Sequence, residues 1–265
     1  MKKKGQVGTW IEKYQLPMLC AGGILCCLFG MWFGQKNELE IPVGAKMGSK
    51  RPIYGVVTEE KKIALTFDCA WENSDTQILL DLLKMNQVPA TFFVTGDWCD
   101  RYPEDVRAFA EAGHRVENHS DRHPHVASIP AEKLVADTRS CDEKITQLTG
   151  SVPCYYRAPY GEFSDAMLTT FERELGHQVI QWDADSRDWQ GRGSGEMIDS
   201  LKKLVRPGSI LLFHNDTENT PAALRRLIPE LKGEGYEFVL LEDLVLKENY
   251  MLDHEGRQVK NTPDS

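Results

Sequence analysis

The chain has 265 residues, with 31 Lys and Arg against 40 Asp and Glu and a formal net charge of −9. With a pI near 5.3 it lacks the basic surface that nucleic acid would demand, which excludes nucleic acid as the main partner. The length allows one domain with a sizeable core, flanked by shorter segments.

Lys2, Lys3, Lys4 and Lys13 precede a stretch from Tyr14 to Gln35 that carries no charge. The run is long enough to span a bilayer, and no small-residue cleavage pattern follows it. It predicts a short cytoplasmic tail over 1–15 and one transmembrane signal anchor over 16–34. The basic end stays in the cytoplasm, so everything after Gln35 is expected outside the cell membrane. Cys20, Cys26 and Cys27 read as apolar packing within the span. Pro42, Gly44, Gly48, Pro52 and Gly55 break any period over 35–60, which reads as an extracytoplasmic linker.

From 61 to 247 short apolar runs alternate with amphipathic ones, as in a single domain. Strands are expected over 63–67, 91–94, 115–118, 154–157, 179–182, 210–213 and 238–241. Helices are expected over 76–85, 104–112, 131–148, 164–175, 196–205 and 221–232. This alternation implies an α/β fold with a parallel sheet. Polar residues gather just after successive strand ends, which favours a (β/α) barrel over a doubly wound sheet. Residues 248–265 show no apolar period and read as a frayed polar tail. Cys69, Cys99, Cys141 and Cys154 lack CxxC spacing, and their pairing stays open.

Five strand ends carry candidate chemistry: Asp68 with Cys69, His119 with His123, Arg157 with Tyr160, Asp185 with Asp188, and His214. The spacing of four puts His119 and His123 on one helical face, where two imidazoles can share a metal ion. Each residue also has an ordinary reading as a helix cap, a surface ion pair or a turn residue. Five such groups at one barrel mouth are harder to assign to coincidence.

Thr66-Phe67-Asp68, His119-Ser120-Asp121-Arg122-His123, Arg157-Ala158-Pro159-Tyr160, Asp188-Trp189 and Leu212-Phe213-His214 stand in that order. In this the chain resembles the polysaccharide deacetylase (NodB homology, carbohydrate esterase 4-type) family over essentially 61–246. The anchor and the Lys50-Arg51-Pro52-Ile53-Tyr54 lead-in look like its membrane-anchored, sporulation-associated branch in Gram-positive bacteria.

The resemblance implies a distorted (β/α) barrel that removes N-acetyl groups from amino sugars of a cell-wall or related glycan, peptidoglycan or chitin-like. It implies a divalent metal on His119 and His123, zinc first, with cobalt, nickel or manganese as alternatives, to polarise the acetyl carbonyl. Asp68 would be the general base, kept ionised by Arg157, and His214, charged with help from Asp188, would protonate the leaving amine. The backbone amide of Tyr160 would hold the oxyanion, while Trp189 and Leu212 would wall a slot for the acetyl methyl.

One position departs from the pattern, because the family commonly has a second, metal-ligating Asp where this chain has Cys69. Three readings follow: Cys69 supplies a thiolate ligand, only the histidines and solvent hold the metal, or Cys69 is a buried apolar residue in a protein that binds glycan without turnover. Glu72 offers a substitute carboxylate, with helix capping as its ordinary reading. His114, His125, His177 and His254 read as surface residues.

Overall fold

A computed structural model describes residues 50–261. The anchor expected over 16–34 lies outside the described residues, as does most of the linker; among those described, no helix is long and apolar enough to cross a membrane. The strands are β1 (Gly55–Val56), β2 (Lys62–Cys69), β3 (Thr91–Val94), β4 (Arg115–Asn118), β5 (Tyr155–Tyr156), β6 (Gln178–Val179), β7 (Ala184–Asp185), β8 (Ile210–His214), β9 (Glu237–Val239), β10 (Tyr250–Leu252) and β11 (Arg257–Lys260). Eight of them form one parallel sheet in the order β6-β5-β4-β3-β2-β8-β7, with β9 also pairing to β2. The sheet is curled into a half-barrel rather than a closed ring.

The central strand β2 is nearly all buried, as expected of a parallel strand covered on both faces. Ile63, Leu65, Phe67 and Cys69 alternate into the layer beneath the helices, where Phe67 stacks on Phe92 and Phe92 on Phe109 at 4.9 and 3.7 Å. Thr66 and Asp68 alternate to the concave side, where both meet Arg157. Leu79, Leu82 and Leu83 of helix Thr76–Asn86 and Leu224, Leu227 and Ile228 of helix Thr220–Gly233 close the outer layer. Each such side chain contributes about 1.5–3 kcal/mol by leaving water.

Three differences from the expected elements have physical causes. The strand expected over 179–182 resolves into β6 and β7, which lie at opposite edges of the sheet. The gap beside β6 is bridged by the lead-in, where Ile53 N donates to Val179 O (2.8 Å) and Gln181 N to Ile53 O (2.7 Å). A six-residue helix, Gly96–Arg101, follows β3; it is too short to show a period, and Thr95 caps it by accepting from Trp98 N at 3.1 Å.

The tail expected to fray instead forms the β10–β11 hairpin, and β11 runs parallel to β1, inside the segment expected as linker. Two of its polar residues, Arg257 and Gln258, face protein and not water. Gln258 is fully buried, accepting from Leu246 N (2.7 Å) and donating to Leu246 O (2.8 Å), and buried Arg257 donates to Pro207 O at 2.7 Å. Gly208 lets the turn before β8 close on β1, for at its φ of +80° a Cβ would lie 1.9 Å from Val56 O.

Candidate active site

The C-terminal ends of β2, β4, β5, β7 and β8 bring the sequence candidates to one edge of the sheet, the usual place for a site in such folds. Asp68 and His214 are direct register partners on β2 and β8. They therefore project from the same face. Thr66 and Leu212 are the register pair two residues deeper, which puts buried Leu212 on the floor below His214.

Arg157 is fully buried beside Asp68. Its Nη1 donates to Asp68 Oδ1 (2.8 Å) and Thr66 Oγ1 (2.9 Å), its Nη2 donates to Gln181 O (3.3 Å), and the guanidinium lies 4.1 Å from the Phe93 ring centroid. Burial pushes the Asp68 carboxyl up, but Arg157, His119 and His214 together outweigh it and hold it below the usual carboxylate range.

Asp188 makes four contacts around one carboxylate. Oδ2 accepts from His214 N (2.8 Å) and Thr220 Oγ1 (2.7 Å), while Oδ1 accepts from Trp189 N (3.0 Å) and His214 Nδ1 (2.7 Å). The last contact puts the proton on Nδ1, leaving Nε2 to face the site. Burial pulls the His214 imidazolium down; the hydrogen bond and charge of Asp188, with Asp68 and Asp185 behind it, carry its pKa above the ordinary histidine value.

The histidine pair comes together by a different route from the expected helix face. His119 to His123 is a turn, in which Ser120 and His123 take left-handed φ values of 70° and 53°. Asp137, on helix Ala131–Thr149, accepts from Asp121 N (3.0 Å) and Arg122 N (3.3 Å), and Ser120 Oγ accepts from His123 N (2.8 Å). Asn118 ties the start of the turn to the same helix through Thr138 O at 2.9 Å. The opposite wall is just as close, since a Cβ on Gly96 would lie 1.8 Å from Asp121 Oδ1.

Strain of this kind is concentrated here. Ser120, His123, Tyr160, Arg187 and Asp216 account for five of the seven positive-φ non-glycine residues among those described, and all lie in loops after sheet strands. Each costs of order 1–3 kcal/mol, so the surrounding contacts must over-determine these turns.

His119 Nδ1 donates to Arg157 O at 2.8 Å, which leaves its Nε2 facing the site, 3.6 Å from Asp68 Oδ2. The His119 and His123 rings are 5.0 Å apart. Burial lowers both, His123 to about 4, which favours the neutral form that a metal ligand needs. This fixed tautomer and donor chemistry suit a divalent cation. Among the described residues, however, no three His, Cys, Asp or Glu side chains group to hold one.

Of the three readings of Cys69, the fold supports the one that buries it. The sequence places the strand end at 67, but β2 continues through Cys69, so alternation turns the thiol away from Asp68 and into the core. Burial raises its pKa far above the usual thiol value, which disfavours a thiolate. Cys69→Ala is therefore expected to leave metal affinity unchanged in a cobalt titration followed by absorption; a tenfold weakening would put the thiol back on the metal. Glu72 is likewise engaged elsewhere, with Arg101 (3.2 Å) and Tyr102. Cys69, Cys99, Cys141 and Cys154 are all free thiols.

Trp189 is 57% exposed at the mouth, beside Asp188 and not packed in the core. Tyr160 is also exposed, its ring stacked on His125 at 4.4 Å and edge-on to His123 at 4.6 Å. Asp185 caps its own turn by accepting from Arg187 N at 2.8 Å. His125 is at the surface as expected, whereas His114 is buried, accepting from Ala90 N at 3.2 Å, and the His177 side chain is largely covered beside Asp142. Thr220, Asp137 and Gln181 are supports that the sequence did not reveal, because their partners are distant along the chain and no local pattern marks them; Thr66 lies within a motif, but its bond to Arg157 is not legible from it.

A carboxylate locked to Arg157 with its pKa held down, an imidazole locked to Asp188 with its pKa held up and two imidazoles whose pKa burial lowers meet at one strand edge, a constellation suited to acid–base hydrolysis. The sequence pattern of the polysaccharide deacetylase family matches residues 55–180. The peptidoglycan-N-acetylmuramic acid deacetylase PdaA of Bacillus subtilis is 34% identical over 74% of this chain and 75% of its own length; its solved structure superposes with a TM-score of 0.69 over 74% of this chain and 85% of that one. A Bacillus cereus peptidoglycan-N-acetylglucosamine deacetylase is 34% identical over 72% of this chain and 92% of its own. A family 4 carbohydrate esterase pseudoenzyme of Bacillus anthracis, 26% identical, superposes with a TM-score of 0.71 over 76% of this chain and 71% of its own. The chain belongs to the polysaccharide deacetylase family, whose members named here as deacetylases are hydrolases.

Proposed function

We propose that this chain hydrolyses the N-acetyl group of amino sugars in a cell-wall glycan, peptidoglycan or chitin-like, and releases acetate. The observation that carries the reading is the pairing of Asp68 with His214 across β2 and β8, where against burial Arg157 holds the pKa of the one down and Asp188 holds that of the other up. Asp68 takes the proton of the attacking water, and Arg157 keeps the carboxylate both charged and oriented. His214 delivers a proton from Nε2 to the departing amine, which cannot leave as an anion. The backbone amide of Tyr160 steadies the oxyanion, and Trp189 and Leu212 flank the acetyl methyl. His119 and His123 would hold a divalent metal, zinc first, with cobalt, nickel or manganese as alternatives, whose chemistry when bound is to polarise the acetyl carbonyl and acidify water. The uncharged run over 16–34 supports single-pass anchoring with the domain outside the cell membrane, and with the lead-in it supports the sporulation-associated branch.

The decisive experiment is acetate release from muramic- and glucosamine-type oligomers with each of the four metals, with and without chelator. No release from either substrate with any metal would refute the reading. A second reading, a glycan-binding homologue with weak or no turnover, is favoured by the placement of Cys69 in the core. It expects oligomer binding without acetate.

Asp188→Asn tests the acid. His214 now loses its proton only above the ordinary histidine pKa, because Asp188 overcomes burial. Removing the charge leaves burial dominant, so the alkaline limb of kcat/KM should move to lower pH by about one unit or more, a scale set by loss of a buried ion partner. An unmoved limb would assign it to another group.

A further inference from the structure

Trp71 lies three residues after Asp68, in the loop between β2 and helix Thr76–Asn86. The indole is 43% exposed, and its ring centroid is 5.2 Å from the His214 imidazole at an interplanar angle of 45°. The loop is braced from outside. Arg101 Nη2 donates to Ala70 O (3.1 Å) and Trp71 O (2.6 Å), and Trp98 Nε1 donates to Glu72 O at 3.3 Å. Trp98, which braces Glu72, is fully buried, whereas Trp71 is held out on the rim. Exposing a ring of that size forgoes burial energy, which is expected where the ring meets a ligand.

We propose that Trp71 is a stacking surface for a pyranose ring of the glycan, set against the general acid so that the sugar bearing the amide is seated by its ring as well as by its acetyl group. The inference rests on the reading of the chain as acting on amino-sugar polymers. A proton donor must approach the amine to about 2.6–3.2 Å. With the indole only 5.2 Å from that imidazole, the sugar bearing the amine, or the unit linked to it, comes against the ring face. A pyranose presents a face of C–H bonds, and an aromatic face is the side chain best able to cover it without competing for its hydroxyls. The same loop borders a cavity of about 390 Å³ through Ala70, with Arg101, Arg122 and His123 on its other walls.

The test compares Trp71→Ala, Trp71→Phe and Arg101→Met with the parent, using a tetramer of N-acetylglucosamine and a muropeptide tetrasaccharide. The measurements are Kd by calorimetry and kcat and KM by acetate release. Trp71→Ala is expected to raise Kd and KM about tenfold on the better-bound ligand, equivalent to about 1.4 kcal/mol, with kcat within about twofold. Trp71→Phe should recover most of the affinity, and Arg101→Met should weaken binding with the indole still present. Unchanged Kd and KM in Trp71→Ala would overturn the proposal while leaving the deacetylase reading intact. So would a loss confined to kcat, which would assign Trp71 to His214 alone. If the parent binds tetramer without releasing acetate and Trp71→Ala loses that binding, the stacking surface stands and the deacetylase reading falls; a parent that binds neither ligand overturns both.

Discussion

Asp68→Asn is expected to lower kcat by about 10²–10⁴-fold, the usual contribution of a positioned general base. The substitution changes no volume and keeps an oxygen for Arg157 Nη1, now 2.8 Å from Oδ1, so the effect reads basicity and not shape. It also leaves the fully buried guanidinium of Arg157 without its counter-charge. Breaking such a pair costs about 3–5 kcal/mol when the partner is deleted, and the retained hydrogen bond should hold the loss near the lower end. The pH dependence has a definite sign. Because the folded carboxyl lies below its ordinary value, its contribution to stability is fully present above the unfolded pKa of about 3.9 and is lost as pH falls through the folded one. The wild type should therefore outlast the Asn variant in urea at neutral pH, and the gap should shrink in acid. Acetate release within threefold of the parent would remove Asp68 from the role of base.

The order of strands and helices was legible because parallel strands buried on both faces stand out as apolar runs, and β2, β3, β4 and β8 match their expected positions within two residues at either end. The same two residues decide between the readings of Cys69. Ending the strand at 67 made Asp68 and Cys69 neighbours on a loop, free to face one site; extending it through 69 makes them successive residues of a pleat, forced to opposite faces. β5 falls inside its expected span, whereas β6 and β7 have two residues each, too few for any period to show that the run over 179–182 divides between them. The β10–β11 hairpin escaped notice because Arg257 and Gln258 are buried as hydrogen-bonding groups, which a count of apolar residues cannot register. The site residues were legible by type. Their supports were not: Asp137 serves backbone amides 15 and 16 positions away, and Thr220 serves Asp188 32 positions away.

Arg157→Leu should have the largest effect on stability and should change activity in a way that can be told from simple unfolding. The guanidinium bonds Asp68, Thr66 and the carbonyl of Gln181 and lies over Phe93, so a leucine of smaller reach leaves the Asp68 carboxylate buried with its principal counter-charge gone. Urea denaturation should report a loss of about 3–5 kcal/mol. The carboxyl avoids part of that cost by taking up a proton, since burial, the largest influence on it, is then opposed only by His119 and His214. The acid limb of the pH–rate profile should move upward as the base becomes neutral at pH values where it is now ionised. His214 depends chiefly on Asp188 and should hold its alkaline limb nearly in place. The bell narrows from one side only. Arg157→Lys separates charge from geometry: it retains a cation near Asp68 but not the planar fork that also reaches Thr66 and Gln181, so the acid limb should return toward the parent while kcat stays low. A limb unmoved in Arg157→Leu would mean that His119 and His214 suffice to keep Asp68 ionised, and Arg157 would then act through orientation alone.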